Sequence, residues 1–407
     1  MDLFQHPSPG SPSLSKLVER LIQCQAMLSA GRRELRVFPI DNGTEGVTLS
    51  AAEILACREV VRRIGERLSL AVPVITWPAP SAPISLETAL SRYINLNIQE
   101  WKNISLLSGS SMLDKLLDKS SHPPTVTEDV FQATGLPEIS VFSAGRPQDD
   151  AYFIIPPCGV PAALFYPWME EFAKDGYAIT NESPYIFGKK SSLAGLTGDV
   201  QSEAAFIKAV VAYYGIRRAH FIGICGGAPI ALAAAAALPE YAASVFICHG
   251  DLYLGADTPR TPFQRQFQAL LAEADSGTRR AKEILALLLD PSMLFGVPDQ
   301  LAPFILYPYA DLDIFRRYAK CNYGIMAYDT SNVAQHLSCP VFITTSKNDR
   351  MTHPDASILL HSLITGSELH VRESGNHHDA LLLNSSMFSA MKTFARRTAT
   401  WRVQSRL

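Results

Sequence analysis

The feature that most constrains the fold of this chain is the pentapeptide GICGG at residues 223–227. It directly follows the apolar run Ala219–Ile222 and directly precedes an alanine-rich stretch, an order that predicts a strand, a sharp turn and a helix. Such a turn holds its central residue in a strained backbone conformation, and side chains two residues before or after it would collide with the neighbouring strand or helix. The glycines therefore predict a nucleophile elbow with Cys225 as the nucleophile. The alternative is a glycine-rich turn around a buried cysteine.

A nucleophile of this kind needs a base and an acid that orients the base, and on such an elbow they follow in the chain order nucleophile, acid, histidine. Asp349 lies in the predicted loop after the β-branched run 340–345. His377 lies after the short alternating stretch 368–372, in a loop that contains glycine. We therefore predict a catalytic triad of Cys225, Asp349 and His377.

Two neighbouring residues are alternatives for these roles. His378 is adjacent to His377, and only one of the two can face Cys225, so His378 is the second candidate for the base. Asp251 follows the predicted strand 243–248 and is the second candidate for the acid. We prefer His377 and Asp349 because of their positions in their loops.

A second loop beside a predicted strand carries another cysteine, Cys158, within Pro156–Val160. Cys158 lacks the glycines of an elbow, so we do not interpret it as a second nucleophile. The loop is better interpreted as half of an oxyanion hole, in which a backbone N–H from about Val160 joins that of Gly226.

Composition is that of a soluble intracellular enzyme. The chain has 407 residues, of which 47% are hydrophobic and 18% charged, and its formal charge of −3 predicts no attraction to nucleic acid or membrane. The seven cysteines show no CxxC pairing and no metal-ligand spacing, so we expect no metal site and a reducing compartment. The amino terminus has neither a basic start nor an apolar core, so we expect no secretory signal and a cytoplasmic location.

The organisation of the chain changes near residue 145. Residues 1–145 are predicted to form a mainly helical region, with helices over 13–31, from a capping box at Ser50 to Leu68, and over 85–107. Residues 146–407 alternate strand and helix patterns, which predicts a catalytic domain with a mostly parallel sheet and helices on both faces. Predicted strands are 152–157, 176–180, 219–224, 243–248, 340–345 and 368–372. About ninety residues separate the fourth and fifth strands, too many for an ordinary connection, and predict a helical lid over about 251–335.

Cysteine at the elbow changes the chemistry that we expect. An acyl group that moves from a thioester to serine loses much of its transfer potential, whereas on cysteine it remains a thioester. It can then pass to another thiol with little change in free energy. A nearby histidine and a helix amino terminus would also raise the ionised fraction of the thiol. Cys225 therefore favours acyl transfer over hydrolysis, without excluding hydrolysis.

These motifs and their spacing resemble the aminoacyl shuttle acyltransferases of nonribosomal peptide pathways, which are α/β-hydrolase-like proteins with a cysteine nucleophile. The resemblance is strongest across residues 150–395, and for residues 1–145 only the overall length supports it. It implies an α/β-hydrolase fold with an inserted lid. It also implies that Cys225 carries an aminoacyl thioester, that His377 acts as base and acid, and that Asp349 orients it.

The same resemblance implies the substrates and partners. The aminoacyl group would arrive on the phosphopantetheine arm of a carrier domain of a nonribosomal peptide synthetase, with no cofactor bound by the enzyme, and a homodimer is compatible with it. The elbow also resembles that of polyhydroxyalkanoate synthases, which use cysteine, aspartate and histidine. An editing thioesterase that hydrolyses carrier-bound acyl groups and a polyhydroxyalkanoate-synthase-like acyltransferase therefore remain alternatives.

Overall fold

The computed structural model describes residues 11–31, 33–40, 47–109, 113–114, 125–133, 136–147, 150–189, 196–383 and 385–404. Residues 1–10, on which the expectation about a secretory signal depends, lie outside these ranges. The chain divides into two compact units, one of residues 1–124 with 285–312 and one of residues 125–284 with 313–407. Within the described residues, no helix combines the length and the apolar character needed to cross a bilayer.

Strands and helices alternate from residue 150 onward, as the sequence pattern predicts. The strands are β1 Arg36–Val37, β2 Val74–Ile75, β3 Val126–Phe131, β4 Ile139–Gly145, β5 Asp150–Ile155, β6 Tyr177–Asn181, β7 Arg218–Ile224, β8 Ala242–Cys248, β9 Val341–Ser346 and β10 Glu368–Arg372. The helices are α1 Ser11–Gln23, α2 Gln25–Ala30, α3 Ala51–Leu68, α4 Ser85–Ile94, α5 Ile98–Ser105, α6 Tyr166–Ala173, α7 Pro184–Phe187, α8 Val200–Tyr213, α9 Gly227–Ala237, α10 Pro262–Asp275, α11 Thr278–Leu288, α12 Ala302–Ile305, α13 Leu312–Ala327, α14 Ser331–Gln335, α15 Pro354–Leu363 and α16 Ser385–Gln404.

The first unit contains α1 to α5, α12 and the short parallel pair β1 and β2. Its predicted capping box is confirmed, because Ser50 Oγ accepts a hydrogen bond from the Glu53 N–H at 3.2 Å and the Glu53 carboxylate accepts one from the Ser50 N–H at 2.7 Å. The helix predicted over 85–107 is divided in two. Asn95 adopts φ +50° and ends α4, and the Asn97 side chain then caps α5.

Residues 285–312 group with the first unit, although the sequence pattern assigns them to a lid over about 251–335. The physical reason is a pair of hydrogen bonds within the first unit. Ser85, at the start of α4, donates from its N–H to the Leu289 carbonyl at 2.8 Å and from its hydroxyl to the Leu288 carbonyl at 3.2 Å. The predicted boundary at 145 also differs from the structure, because β3 and β4 lie in the sheet of the second unit.

The second unit is built on an eight-stranded sheet with the order β10-β9-β8-β7-β5-β6-β4-β3. Its strands from β10 to β6 are parallel, and β4 runs antiparallel to both of its neighbours. All residues of β8 and all but the first of β7 are buried, as expected for central parallel strands that are covered on both faces. The carboxyl ends of β7, β8 and β9 therefore lie side by side, where functional groups of such sheets gather.

The glycines that flank Cys225 are required by space. A Cβ atom on Gly227 would lie 2.2 Å from the Ile155 carbonyl oxygen, and one on Gly223 would lie 2.6 Å from the Gly227 carbonyl oxygen. Both obstacles are main-chain atoms of the elbow or of β5, which cannot move without displacing the turn. The predicted reason for the glycines is confirmed.

Replacing Gly227 with alanine is expected to destabilise the second unit by more than about 3 kcal/mol, because the new methyl group must displace the backbone of β5. Gly277 is the matched control, since a Cβ atom there meets no other atom within 4 Å. Gly277→Ala should change the free energy of unfolding by no more than about 1 kcal/mol. Urea unfolding followed by near-UV circular dichroism measures both variants. Similar stabilities for the two would contradict the steric role of Gly227.

Candidate active site

Cys225 lies at the tip of the turn between β7 and α9 with φ +50°, a backbone conformation that is strained for a residue with a side chain. Three main-chain hydrogen bonds hold it there. Its N–H donates to the Cys248 carbonyl, and its own carbonyl accepts from the N–H groups of Asp251 and Ala228, each at 3.0 Å. The side chain is partly exposed. The turn thus holds the thiol at the carboxyl end of β7, in the conformation of a nucleophile elbow.

His377 is the histidine that the structure brings to this thiol. It opens a short 3₁₀ turn after β10, its side chain is buried, and its Nδ1 lies 2.9 Å from Asp349 Oδ2. Burial lowers the pKa of His377, but its interactions with Cys225 and with the Asp349 carboxylate raise that pKa well above its ordinary value. Nδ1 therefore donates to Asp349, and Nε2 is the nitrogen left to exchange a proton with Cys225.

Asp349 follows β9 and is held as a carboxylate by several donors. Its Oδ1 accepts from the N–H groups of Met351 and Thr352, both at 2.9 Å. Its Oδ2 accepts from the Thr352 hydroxyl at 2.9 Å and from two imidazoles. Burial alone would raise the pKa of Asp349, but the bonds from His249 and His377 and from the Thr352 N–H lower it far below its usual range. A carboxylate bonded in this way fixes the orientation and the tautomer of His377.

His249, the second imidazole on Asp349, is a residue that the sequence analysis missed. It is fully buried directly after β8 and, like Cys225, has a positive φ, of +48°. Its Nδ1 lies 2.7 Å from Asp349 Oδ2, and its Nε2 lies 3.3 Å from Ser346 Oγ. Burial and the nearby charge of His377 lower the pKa of His249, so it remains a neutral donor to Asp349. Its position at the carboxyl end of a central strand was the signal that could have found it.

The imidazoles of His249 and His377 and the carboxylate of Asp349 are close enough together to suggest a metal site, since their ligand atoms lie within 4.8 Å of one another. The contacts are those of a hydrogen-bonded network instead. Both Nδ1 atoms point at the same carboxylate oxygen at hydrogen-bond distance, so each carries the proton that a metal ion would have to replace. The arrangement fits an aspartate shared by two histidines.

Replacing His249 with asparagine is expected to destabilise the protein by about 2–4 kcal/mol at pH 7, because Asp349 loses a buried donor and a cavity remains. Asparagine tolerates the positive φ, so backbone strain is not added. The difference from the unaltered protein should shrink as the pH falls. Because the pKa of Asp349 is lowered in the folded protein, its carboxylate stabilises the fold above pH about 4, and this stabilisation is lost on acidification. His249 is buried in its neutral form, so protonation of this histidine in the unfolded chain below pH about 6.5 also reduces the stability of the unaltered protein.

Urea unfolding at several values between pH 7 and pH 3 measures this effect. His336→Asn is the control, because His336 is exposed and bonds only to a nearby carbonyl, and it should change stability by less than about 0.5 kcal/mol at every pH. A difference for His249→Asn that stays constant or grows on acidification would contradict the hydrogen-bonded network around Asp349.

The alternative site residues lie close by in other roles. His378 is half-buried, and its N–H donates to the Asn376 side chain, but its imidazole has no bond to Asp349. Asp251 is buried and accepts a hydrogen bond from Gln264 of α10 at 2.6 Å, and burial raises its pKa. The structure thus pairs Asp349, and not Asp251, with His377.

In the predicted oxyanion loop, the N–H groups of Val160 and Cys158 differ in their surroundings. The N–H of Val160 donates to the Pro157 carbonyl at 3.1 Å, so it is occupied within its own turn. The main-chain nitrogen of Cys158 is the one close to the elbow, 3.5 Å from where a Cβ atom on Gly226 would be. Because Pro156 and Pro157 have no N–H to offer, Cys158 is the first residue after β5 that can donate. An oxyanion hole of Gly226 and Val160 stays a prediction, and the bond made by the Val160 N–H makes Cys158 the better candidate partner of Gly226.

Cys158 itself is poorly suited to act as a nucleophile. Burial and the hydrogen bond with the Cys321 thiol raise the pKa of Cys158 well above its ordinary value, and the charge of Glu203 raises it further. Its thiol is therefore protonated at neutral pH and weakly reactive. The side chain forms part of the wall of a pocket beside the elbow.

Comparison with known proteins supports the fold. No family model and no curated protein matches the sequence. A membrane phospholipase A, described as a bacterial virulence factor, matches with a TM-score of 0.54 at 15% identity over 68% of this chain and 87% of that one. The 2-hydroxy-6-oxo-6-phenylhexa-2,4-dienoate hydrolase of Rhodococcus sp. strain RHA1 matches with a TM-score of 0.50 at 18% identity over 67% and 99% of the two chains.

An esterase from Thermogutta terrifontis also matches, with a TM-score of 0.50 at 15% identity over 67% of this chain and 98% of that chain. These neighbours have the α/β-hydrolase fold, so the predicted α/β-hydrolase fold is confirmed. Likeness at this level of identity concerns the fold alone, and the activity must be argued from the site.

Proposed function

We propose that this protein is an acyltransferase that moves an aminoacyl group from the phosphopantetheine arm of one carrier domain to that of another through a thioester on Cys225. The observation that carries the proposal is the chemistry at the elbow. Cys225 has φ +50°, and its thiol lies beside the imidazole of His377, whose other nitrogen is bonded to the Asp349 carboxylate. A hydroxyl in place of this thiol would favour hydrolysis. In this proposal the carriers belong to nonribosomal peptide synthetases, and the enzyme is cytoplasmic.

The first half-reaction loads the enzyme. His377 Nε2 holds the proton of Cys225, and the resulting thiolate attacks the thioester carbonyl of the incoming carrier. The backbone N–H groups of Gly226 and Cys158 stabilise the oxyanion of the tetrahedral intermediate. The new C–S bond to Cys225 forms as the old one breaks, and His377 returns the proton to the departing phosphopantetheine thiol.

The second half-reaction unloads the enzyme. His377 removes a proton from the thiol of a second phosphopantetheine arm, and the resulting thiolate attacks the acyl-Cys225 thioester. The new C–S bond to the arm forms as the C–S bond to Cys225 breaks, and the proton on His377 returns to the Cys225 sulfur. Both the substrate and the product are thioesters, so the two half-reactions are nearly balanced in free energy and the direction follows the concentrations of the carriers. Asp349 stabilises the imidazolium that forms in each half.

Hydrolysis of the same intermediate is the competing function. The solved structures that share the fold are described as a phospholipase, a hydrolase and an esterase, and water attacking acyl-Cys225 would make this protein an editing thioesterase. A polymer synthase would accept hydroxyacyl groups from coenzyme A and extend them without a carrier. All three begin with the acylation of Cys225 and differ in what removes the acyl group.

The test uses two carrier domains of different mass. The first carries a radiolabelled aminoacyl group, the second carries a free phosphopantetheine thiol, and the enzyme is added in catalytic amount. We expect label on the second carrier to exceed free amino acid by at least about tenfold at early times. Label found mainly as free amino acid would favour the editing thioesterase. Label that stays on the first carrier, together with polymerisation of hydroxyacyl coenzyme A, would favour the polymer synthase.

A further inference from the structure

A pocket opens beside the elbow within the second unit. Its wall contains Cys158, Asn181, Ser183, Glu203, Ile230 and Cys321. Ile230 belongs to α9, the helix that follows the elbow, and Cys321 belongs to α13. The loop after β5, which supplies the oxyanion donor, thus also forms one side of the pocket.

The pocket is connected to the nucleophile through Cys158. The main-chain nitrogen of Cys158 faces Gly226, the residue directly after the nucleophile. Cys225 and Glu203 both lie close enough to Cys158 to raise the pKa of its thiol. The loop that approaches the elbow and the wall of the pocket therefore share the residue Cys158.

Glu203 is an unusual group for the wall of such a pocket. Its side chain is 5% exposed, its Oε1 accepts a hydrogen bond from the Ser183 hydroxyl at 2.7 Å, and the Tyr185 N–H also donates to it. Among the described residues, no basic side chain forms a salt bridge with Glu203, and the nearby charge of Asp199 has the same sign. Burial raises the pKa of Glu203 to about 7. A carboxyl in this state is costly to ionise until a cation arrives beside it.

We propose that Glu203 is the group that receives the α-ammonium of the aminoacyl thioester, so that the pocket selects aminoacyl over plain acyl groups. This inference rests on the proposed acyl transfer through Cys225 and adds the part of the substrate that is recognised. Ser183 and the Tyr185 N–H fix the carboxylate, and the isoleucine side chains of the wall exclude water from the ion pair. An ammonium group gains more binding free energy from a buried carboxylate than from an exposed one, and a substrate without the ammonium group leaves the buried carboxyl unpaired.

The alternative is a purely structural role, in which Glu203 only fixes Ser183, the residue that caps the short helix α7. Glu203→Gln separates the two roles. The glutamine keeps the shape of the side chain, and its amide oxygen still accepts from the Ser183 hydroxyl, but its charge is gone. A structural role should survive this substitution, whereas recognition of an ammonium group should not.

The experiment compares alanyl and propionyl N-acetylcysteamine thioesters, which differ only in the α-ammonium group. The rate of Cys225 acylation is followed by intact mass spectrometry at pH 7. The unaltered enzyme should prefer the alanyl thioester by at least about 30-fold in kcat/KM, and Glu203→Gln should reduce that preference to less than about threefold, chiefly by slowing the alanyl reaction. Glu273→Gln, on the exposed surface of α10, is the charge-matched control and should keep the full preference.

The outcomes are separable. Equal acylation of the unaltered enzyme by both thioesters would overturn the role of Glu203 and leave acyl transfer standing, and this comparison needs no variant to fold. A preference that survives Glu203→Gln would also overturn it. If neither thioester acylates Cys225 and carrier-bound substrates also fail, the proposed function fails, and the inference fails with it.

Discussion

Cys225→Ala is expected to abolish covalent acylation and to lower the rate of acyl transfer by at least about 10⁴-fold, because no other group can form the intermediate. The variant should fold normally, since the side chain that is removed is small and partly exposed. Intact mass spectrometry after incubation with a labelled aminoacyl carrier measures the acyl adduct, and circular dichroism verifies the fold.

Two further variants make this prediction specific. Cys158→Ala should still be acylated, because only its backbone N–H takes part and its thiol is held protonated. Cys225→Ser should form an oxyester that is lost to water more readily than to a second thiol, since its acyl group has lost much of its transfer potential. Equal acylation of Cys225→Ala and the unaltered protein would contradict the assignment of the nucleophile.

Asp349→Asn is the second substitution with a large expected effect, a loss of about 10³–10⁴-fold in kcat with KM little changed. The asparagine has one acceptor oxygen where the carboxylate has two, yet two imidazoles and Thr352 donate to this side chain. Its NH₂ group would also present a proton to Nδ1 of His377 or His249, which favours the wrong tautomer. Without the negative charge, the pKa of His377 should fall from its raised value.

Steady-state rates of carrier-to-carrier transfer across pH 5–9 measure the effect. Asp355→Asn is the control, because Asp355 is exposed at the start of α15, and it should change the rate by less than about twofold. A loss smaller than tenfold for Asp349→Asn would mean that another acid orients His377. Asp251 would then be the next residue to test.

The elbow could be predicted because its glycines and flanking apolar runs are local in the sequence, and the positions of Asp349 and His377 because each follows a recognisable strand. Glycines at 223 and 227 are required by main-chain atoms of the turn itself and of the adjoining strand. The apolar runs of the central strands β7 and β8 reflect burial on both faces, whereas β10, at the edge of the sheet, was predicted from its alternating pattern. The strand β3 was missed because its four central residues are exposed, and Glu128 and Asp129 remove the apolar signal. Antiparallel pairing with β4 stabilises it instead.

The rest depends on contacts between residues far apart in the chain. Asp349 is paired with His249 across a separation of one hundred residues. Glu203 lies in the wall of one pocket with Cys158, Ser183 and Cys321 of α13, which are all distant from it in the sequence. The grouping of residues 285–312 with the first unit likewise follows from bonds to Ser85. No periodicity in the sequence encodes these partners.

The most direct test of the central claim is the fate of the isolated acyl-enzyme. The protein is acylated with a labelled aminoacyl carrier, freed of that carrier, and divided between buffer alone and buffer with a second carrier that bears a free phosphopantetheine thiol. Transfer through Cys225 predicts an adduct that persists in buffer and moves to the second carrier at least about tenfold faster than it is lost to water. Loss of the adduct as free amino acid at the same rate in both samples would contradict it.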